Sequence, residues 1–171
     1  MNKLLSMFFD VCRLRVAPQD LPTSRTLLVS TLAVYALLSI VISVVQMSLV
    51  KALLAAFMDT ALLAGLSFFL LWARMFAHRW VQTCTALAGS GAVLEVVALP
   101  LMVWQKQFGP ESSMVILPTL LLLVVLFWNL VVIGHILRHA LSTNLGMGAV
   151  LATVYMYVSL SIIKILFFSG I

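Results

Sequence analysis

The chain has 171 residues, 64% of them hydrophobic and only 9% charged, with a net charge of +5 and a mean hydropathy of +1.20. Soluble domains run about half apolar and about a quarter charged, so this composition excludes an ordinary water-soluble domain. The basic residues are scattered through short connections with no stripe of interleaved aromatics, which excludes nucleic acid as a partner.

Residues 2–16, NKLLSMFFDVCRLRV, are amphipathic on a helical period. Lys3, Ser6, Asp10 and Arg13 fall on one narrow stripe, and Leu4, Leu5, Phe8, Phe9, Val11 and Cys12 cover much of the rest. Such a helix lies in the membrane interface with its apolar side in lipid, or packs on the end of the bundle it precedes; the two are compatible. The opening MNKLLSMFFD has too short an apolar run before Asp10 to be a signal peptide. Pro18 and Pro22 in APQDLPTS cannot continue a helix, and Thr23 or Ser24 is placed to cap the next one. Residues 1–26 are therefore expected to form an amphipathic segment and linker.

A hydrocarbon core about 30 Å thick needs roughly 20 apolar residues per helical span. Five stretches meet this, at about 27–50, 52–73, 81–104, 114–136 and 145–168. They occupy most of 27–171, leaving no room for a soluble domain, so the fold class is all-α, a compact bundle of five transmembrane helices. Trp72, Trp80 and Trp104 sit near span ends as interfacial anchors, with Trp128 deeper. Seven basic residues (Lys3, Arg13, Arg15, Arg25, Arg74, Arg79 and Arg138) fall on one side of these spans, and Lys51, Lys106 and Lys164 on the other. The positive-inside rule then puts the N-terminus in the cytoplasm and the C-terminus outside, in the inner membrane if the source is bacterial. The longest connection, QKQFGPESS, is polar with a Gly-Pro break and resembles no binding domain.

Small residues mark expected helix contacts, because in lipid helices associate by close backbone approach. Gly89 and Gly91 give such a face to the third span, Gly65 to the second, and Gly146 with Gly148 to the fifth. Self-association or other membrane proteins are expected partners, alongside lipid. Cys12 and Cys84 read as small apolar residues with no disulfide or metal spacing.

Three charges stand out inside the spans. Asp59 and Glu95 lie about 12–14 Å below the same surface at 1.5 Å per residue, and Lys164 approaches that surface on the fifth span. A central acid disfavours insertion by roughly 2.5–3.5 kcal/mol, which a span rich in Leu and Phe offsets, yet such a group normally faces the bundle interior. Two carboxyls brought together can share a proton, so Asp59 and Glu95 form a proton or cation site, or else a structural cluster with Lys164. Pro100, one turn beyond Glu95, removes a helical donor and is a kink candidate. His135 and His139, four apart, have the spacing of two metal ligands on one face but no third ligand, so no metal and no cofactor is expected. No nucleophile–base arrangement or phosphate loop is present in the pattern, so the chain is not expected to be an enzyme.

The amphipathic N-terminal segment, APQDLP before the first span, five closely spaced helices and the run FWNLVVIGHILRHALSTNLGMGAV together resemble the Yip family of small five-helix membrane proteins, in its bacterial form. The eukaryotic DLYGP-type signature is absent, with QDLP near its place, so Rab binding is not implied. The resemblance implies a non-enzymatic scaffold, adaptor or accessory subunit of a membrane assembly, with an influence on membrane organisation. The alternative is a small transporter or channel component using Asp59 and Glu95.

Overall fold

Runs of Leu, Val, Ala and Phe with few interruptions favour helix, and in lipid a helix satisfies its own backbone. The computed structural model describes residues 2–108 and 112–168. Among these, six α-helices and three short 3-10 turns carry the regular structure: α1 (Asn2–Cys12), α2 (Arg25–Gln46), α3 (Leu49–Ala73), α4 (Trp80–Lys106), α5 (Ile116–Ala140) and α6 (Leu145–Phe168). Helices α2 to α6 are long and apolar enough to cross a membrane. They alternate in direction; the end where α2 begins is called the near end and the other the far end. The Gly-Pro break of the far-end connection lies outside the described residues.

Boundaries differ from the sequence reading at two places. The first two spans meet at Met47 and Ser48, both extended, so Lys51 belongs to the first turn of α3 instead of to a turn between spans. At the start of α2, Ser24 is the cap and accepts from the Leu27 amide at 3.3 Å. The N-terminal helix stops at Cys12, four residues short of the amphipathic stretch, because Leu14 turns left-handed (φ 61°) and the Arg15 amide reaches back to the Asp10 carbonyl at 2.9 Å. Two more near-end helix termini close the same way, at Met75 (φ 63°) after α3 and Ser142 (φ 51°) after α5. A side chain in this region costs about 1–2 kcal/mol, so packing around these turns holds them.

Helix α4 is the centre of the near half. It packs against α1, α2, α3 and α5, while α6 packs on α5 and α3. Every residue of α4 from Thr83 to Ser90 is buried, as is the α5 stretch Val132–Leu137. The polar members of this core return their hydroxyls to their own helix: Thr83, Thr85 and Ser90 donate to the carbonyls of Arg79, Val81 and Ala86 at 2.7–2.9 Å. The hydroxyls of Thr83, Thr85 and Ser90 are thus satisfied within α4, which lets this stretch pack densely.

Helix α1 completes that core from the side. Phe8, Val11 and Cys12 are buried, while Leu5 and Phe9 remain 54% exposed. The Phe8 ring lies where a side chain on Gly89 would stand, 2.3 Å from the ideal Cβ position. Trp128 donates its indole N–H to the Cys12 carbonyl at 3.0 Å, His135 meets the Val16 carbonyl through Nε2 at 3.2 Å, and Gln19 donates to the His139 carbonyl at 2.7 Å. Gln82 ties down the same linker through the carbonyls of Gln19 and Leu21. Gly89 is nine residues into α4 and Trp128 twelve from the end of α5, so at 1.5 Å per residue α1 sits about 14–18 Å in from the near end. It is a wedge in the flank of the bundle, with one apolar edge left outward.

Candidate functional site

The far half is built differently. Asp59 lies about 15 Å from the start of α3 and Glu95 about 16 Å from the end of α4, counting 1.5 Å per residue. One helix holds both acids. Tyr35 of α2 donates its hydroxyl to Asp59 Oδ2 at 2.5 Å, and Ser39, one turn on, donates to Glu95 Oε1. Ser159 of α6 lines the same space as the Asp59 carboxyl. Tyr155, one turn before Ser159, is buried beside them. Glu95 Oε2 is shielded and has no hydrogen-bond partner.

The two carboxyls share a cavity of about 410 Å³, bounded by α3, α4, α5 and α6 with Tyr35 at its base. Its polar wall is Tyr35, Asp59, Glu95, Asn129, Tyr155 and Ser159; most of the remainder is aliphatic. Near the far end, Gln105 of α4 donates to Thr119 of α5 at 2.8 Å, and both line the cavity. Three lining leucines, Leu123, Leu126 and Leu160, are 54%, 42% and 53% exposed, so the cavity meets the protein surface beside α5 and α6. The same space is filled in the near half, where α4 is enclosed on all sides.

The other expected site residues distribute as follows. Lys164 stands exposed on α6 and is not part of the cluster; hydroxyls, not a lysine, hold the acids. Helix α4 runs through Pro100 to Lys106 without a break. Gly89 receives Phe8, Gly91 receives the Tyr35 ring (2.8 Å from an ideal Cβ), and Gly148 faces the Gly134 carbonyl and Arg138 Cβ of α5, each 2.7 Å away. Two glycines depart from the expectation: an added Cβ on Gly65 meets nothing within 4 Å, and one on Gly146 meets only Asn144 at 3.7 Å. The small residues of α3 that are buried are Ala52, Ala55, Ala56 and Ser67 instead.

The basic residues collect as the sequence suggested, with Arg25, Arg74, Arg79 and Arg138 at the near end and Lys51 and Lys106 at the far end. Arg13 and Arg15 are exposed at the end of α1. Arg79 caps α5, donating to the Ala140 carbonyl at 3.2 Å and the Ser142 hydroxyl at 2.8 Å. Lys106 closes α2 by donating to the Val45 carbonyl. The His135 and His139 rings do meet, 4.7 Å apart, but His135 spends Nε2 on the linker, and no group of three metal-ligating side chains occurs among the described residues.

Sequence reasoning missed the residues that surround the acids: Tyr35, Ser39, Tyr155 and Ser159. A signal was there. YALLS (35–39) and YMYVS (155–159) each place a Tyr and a Ser four apart, on one face of an apolar helix. The Gly134 partner of Gly148 also went unmarked.

A helical bundle with five helices of membrane-spanning length and an acid-lined internal cavity defines a polytopic integral membrane protein. No protein-family model, curated protein or solved structure matches the chain.

Proposed function

We propose that the chain is a small transporter or channel component in which Asp59 and Glu95 bind a proton or cation. The observation that carries this reading is the shared cavity: both acids face it, their outer oxygens are fixed by α2 hydroxyls, and Glu95 Oε2 keeps an unspent acceptor. Intramembrane acids that serve only to brace helices satisfy one another or a base. Here the bracing bonds leave capacity over. The closed near half and open far half add support, since a site reached from one side only is what one state of a gated pathway requires. With the near end in the cytoplasm, as the arginine distribution favours, the cavity opens toward the outer leaflet.

The test is proton flux in liposomes carrying an internal pH dye and an imposed potential. Wild-type protein is expected to dissipate the gradient, and Asp59→Asn with Glu95→Gln to abolish that flux while keeping a wild-type melting profile. Unchanged flux in the double variant, or none in a well-folded wild type, overturns the reading.

A second reading, the membrane-organising or adaptor role that the Yip-like layout implies, draws on α1. Its Leu5 and Phe9 project outward beside the exposed Arg13 and Arg15, an arrangement suited to an anionic lipid surface. A folded protein without flux, whose vesicle binding falls when Leu5 and Phe9 are changed to Ser, is the outcome that favours it.

A further inference from the structure

The shape and chemistry of the cavity narrow what binds there, given the reading of Asp59 and Glu95 as a cation site. A dehydrated inorganic cation wants about six oxygen ligands at close range. The described residues supply two carboxyls and a few hydroxyls, already bonded to one another, in a space far larger than an ion. About 410 Å³ instead falls in the range of roughly 300–1,000 Å³ typical of organic ligand sites, with mostly apolar walls and a few converging polar groups. Asp59, Glu95, Tyr35, Tyr155 and Ser159 gather in one part of the lining, with Gln105 and Thr119 as a separate polar pair nearer the far end. The walls rising from them are Leu94, Met102, Leu122 and Leu126, and the exposed leucines of α5 and α6 open this apolar part toward the membrane.

A purely hydrocarbon guest would fill the walls and leave Glu95 Oε2 without a donor, at the penalty of a buried unpaired acceptor. A guest that carries an N–H cation on an apolar body meets both demands. Its ammonium is neutralised by the acid pair lining the cavity, the Glu95 carboxyl turning its shielded Oε2 toward the N–H groups. Tyr35 and Tyr155 line the same space and add aromatic surface beside the acids. We propose that this cavity binds lipophilic ammonium compounds, head down between Asp59 and Glu95 and apolar body along α4 and α5, admitted from the membrane beside α5 and α6.

Dansylcadaverine, a pentylammonium joined to a fluorescent apolar ring system, suits the test, with its N-acetyl derivative as the neutral control. In phosphatidylcholine nanodiscs the ammonium probe is expected to bind saturably, and the acetylated probe about tenfold more weakly or worse, as loss of a charged hydrogen bond implies. Glu95→Gln should weaken the ammonium probe by a similar factor. Ala98→Phe, which leaves both acids in place and fills the cavity from α4, should abolish binding. Equal binding of both probes, or wild-type binding by a folded Ala98→Phe variant, overturns the proposal. The proton-flux assay separates the two claims: flux without probe binding leaves the cation site standing and removes this ligand class. Saturable, acid-dependent binding without flux keeps the ligand class and removes transport.

Discussion

Gly148→Ala is expected to lower the melting temperature in detergent clearly, and Gly65→Ala to leave it almost unmoved. Both glycines sit inside long apolar helices among other small residues. A Cβ on Gly148 would stand 2.7 Å from the Gly134 carbonyl and 2.7 Å from Arg138 Cβ. Two of the atoms it meets are therefore fixed in or next to the α5 backbone, which has no rotamer to move aside. The only relief is to separate α5 from α6. Overpacking of this kind costs about 1–3 kcal/mol in a well-packed core, and in lipid the close approach is itself the source of association. The same change at Gly65 meets open space within 4 Å. Differential scanning fluorimetry of the two variants in one detergent decides the matter. Equal shifts would mean that α5 and α6 do not meet at Gly148.

The second large effect concerns the wedge. Gly89→Leu is expected to expel Phe8 from α4 and release α1 from the flank of the bundle. The ring atoms lie 2.3 Å from where the first new carbon would stand, and three further carbons must follow it into a fully enclosed stretch of α4. Cys12 reports the release. In place, its thiol is buried against the Ser90 carbonyl, 3.7 Å away, and burial pushes its pKa up to about 11. The acid form is favoured in the packed state, so little reactive thiolate exists at pH 8. Freed into water the thiol returns toward about 8.5, and the thiolate fraction at pH 8 rises on the order of a hundredfold. In a Cys84→Ala background, maleimide labelling of Cys12 should therefore speed up by about that factor. Phe8→Ala combined with Gly89→Ala should restore slow labelling, because the smaller ring-side residue makes room for the new methyl. Labelling at the wild-type rate in Gly89→Leu would show that α1 does not dock here.

The two substitutions also mark where the sequence stops being informative. Gly65, Gly89, Gly146 and Gly148 present one signal to a reader of the sequence, a small residue in an apolar helix. Two of them accept a neighbour at sub-contact distance and two face nothing of consequence. The difference depends on which side of the helix each occupies relative to partners far away in the chain, and an apolar pattern that is nearly uniform around the helix does not encode the side. In water the buried face of a helix is marked by polarity; in lipid both faces are apolar and the mark is lost. Trp128 is the same lesson in reverse. Its depth looked anomalous for an anchor, and the reason is a carbonyl at the end of α1, 116 residues away.

The acids fall between these extremes. Their positions along α3 and α4 were legible, because counting residues from the ends of a rigid 1.5 Å-per-residue helix gives depth directly. Their company was not. Lys164 was the obvious partner by charge, yet it stands exposed, while Tyr35 and Ser39 hold the carboxyls. Hydroxyls in a membrane helix look unremarkable because each can bond its own backbone, as Thr83, Thr85 and Ser90 do. Only the packing of α2 across α3 and α4 turns Tyr35 and Ser39 outward to the acids.

The sequence by itself determined the solvent, the number and length of the long helices, and the gathering of arginines toward one end. Those follow from local quantities, the hydropathy of twenty-residue windows and the placement of charge between them. The tertiary structure alone decided that α1 is driven into the flank of the bundle and that the far half stays hollow. It also brought Asp59 and Glu95 into one cavity with an acceptor to spare. Those are matters of which helix face meets which, and in a chain this uniformly apolar they are set by shape and by a few hydrogen bonds between distant residues.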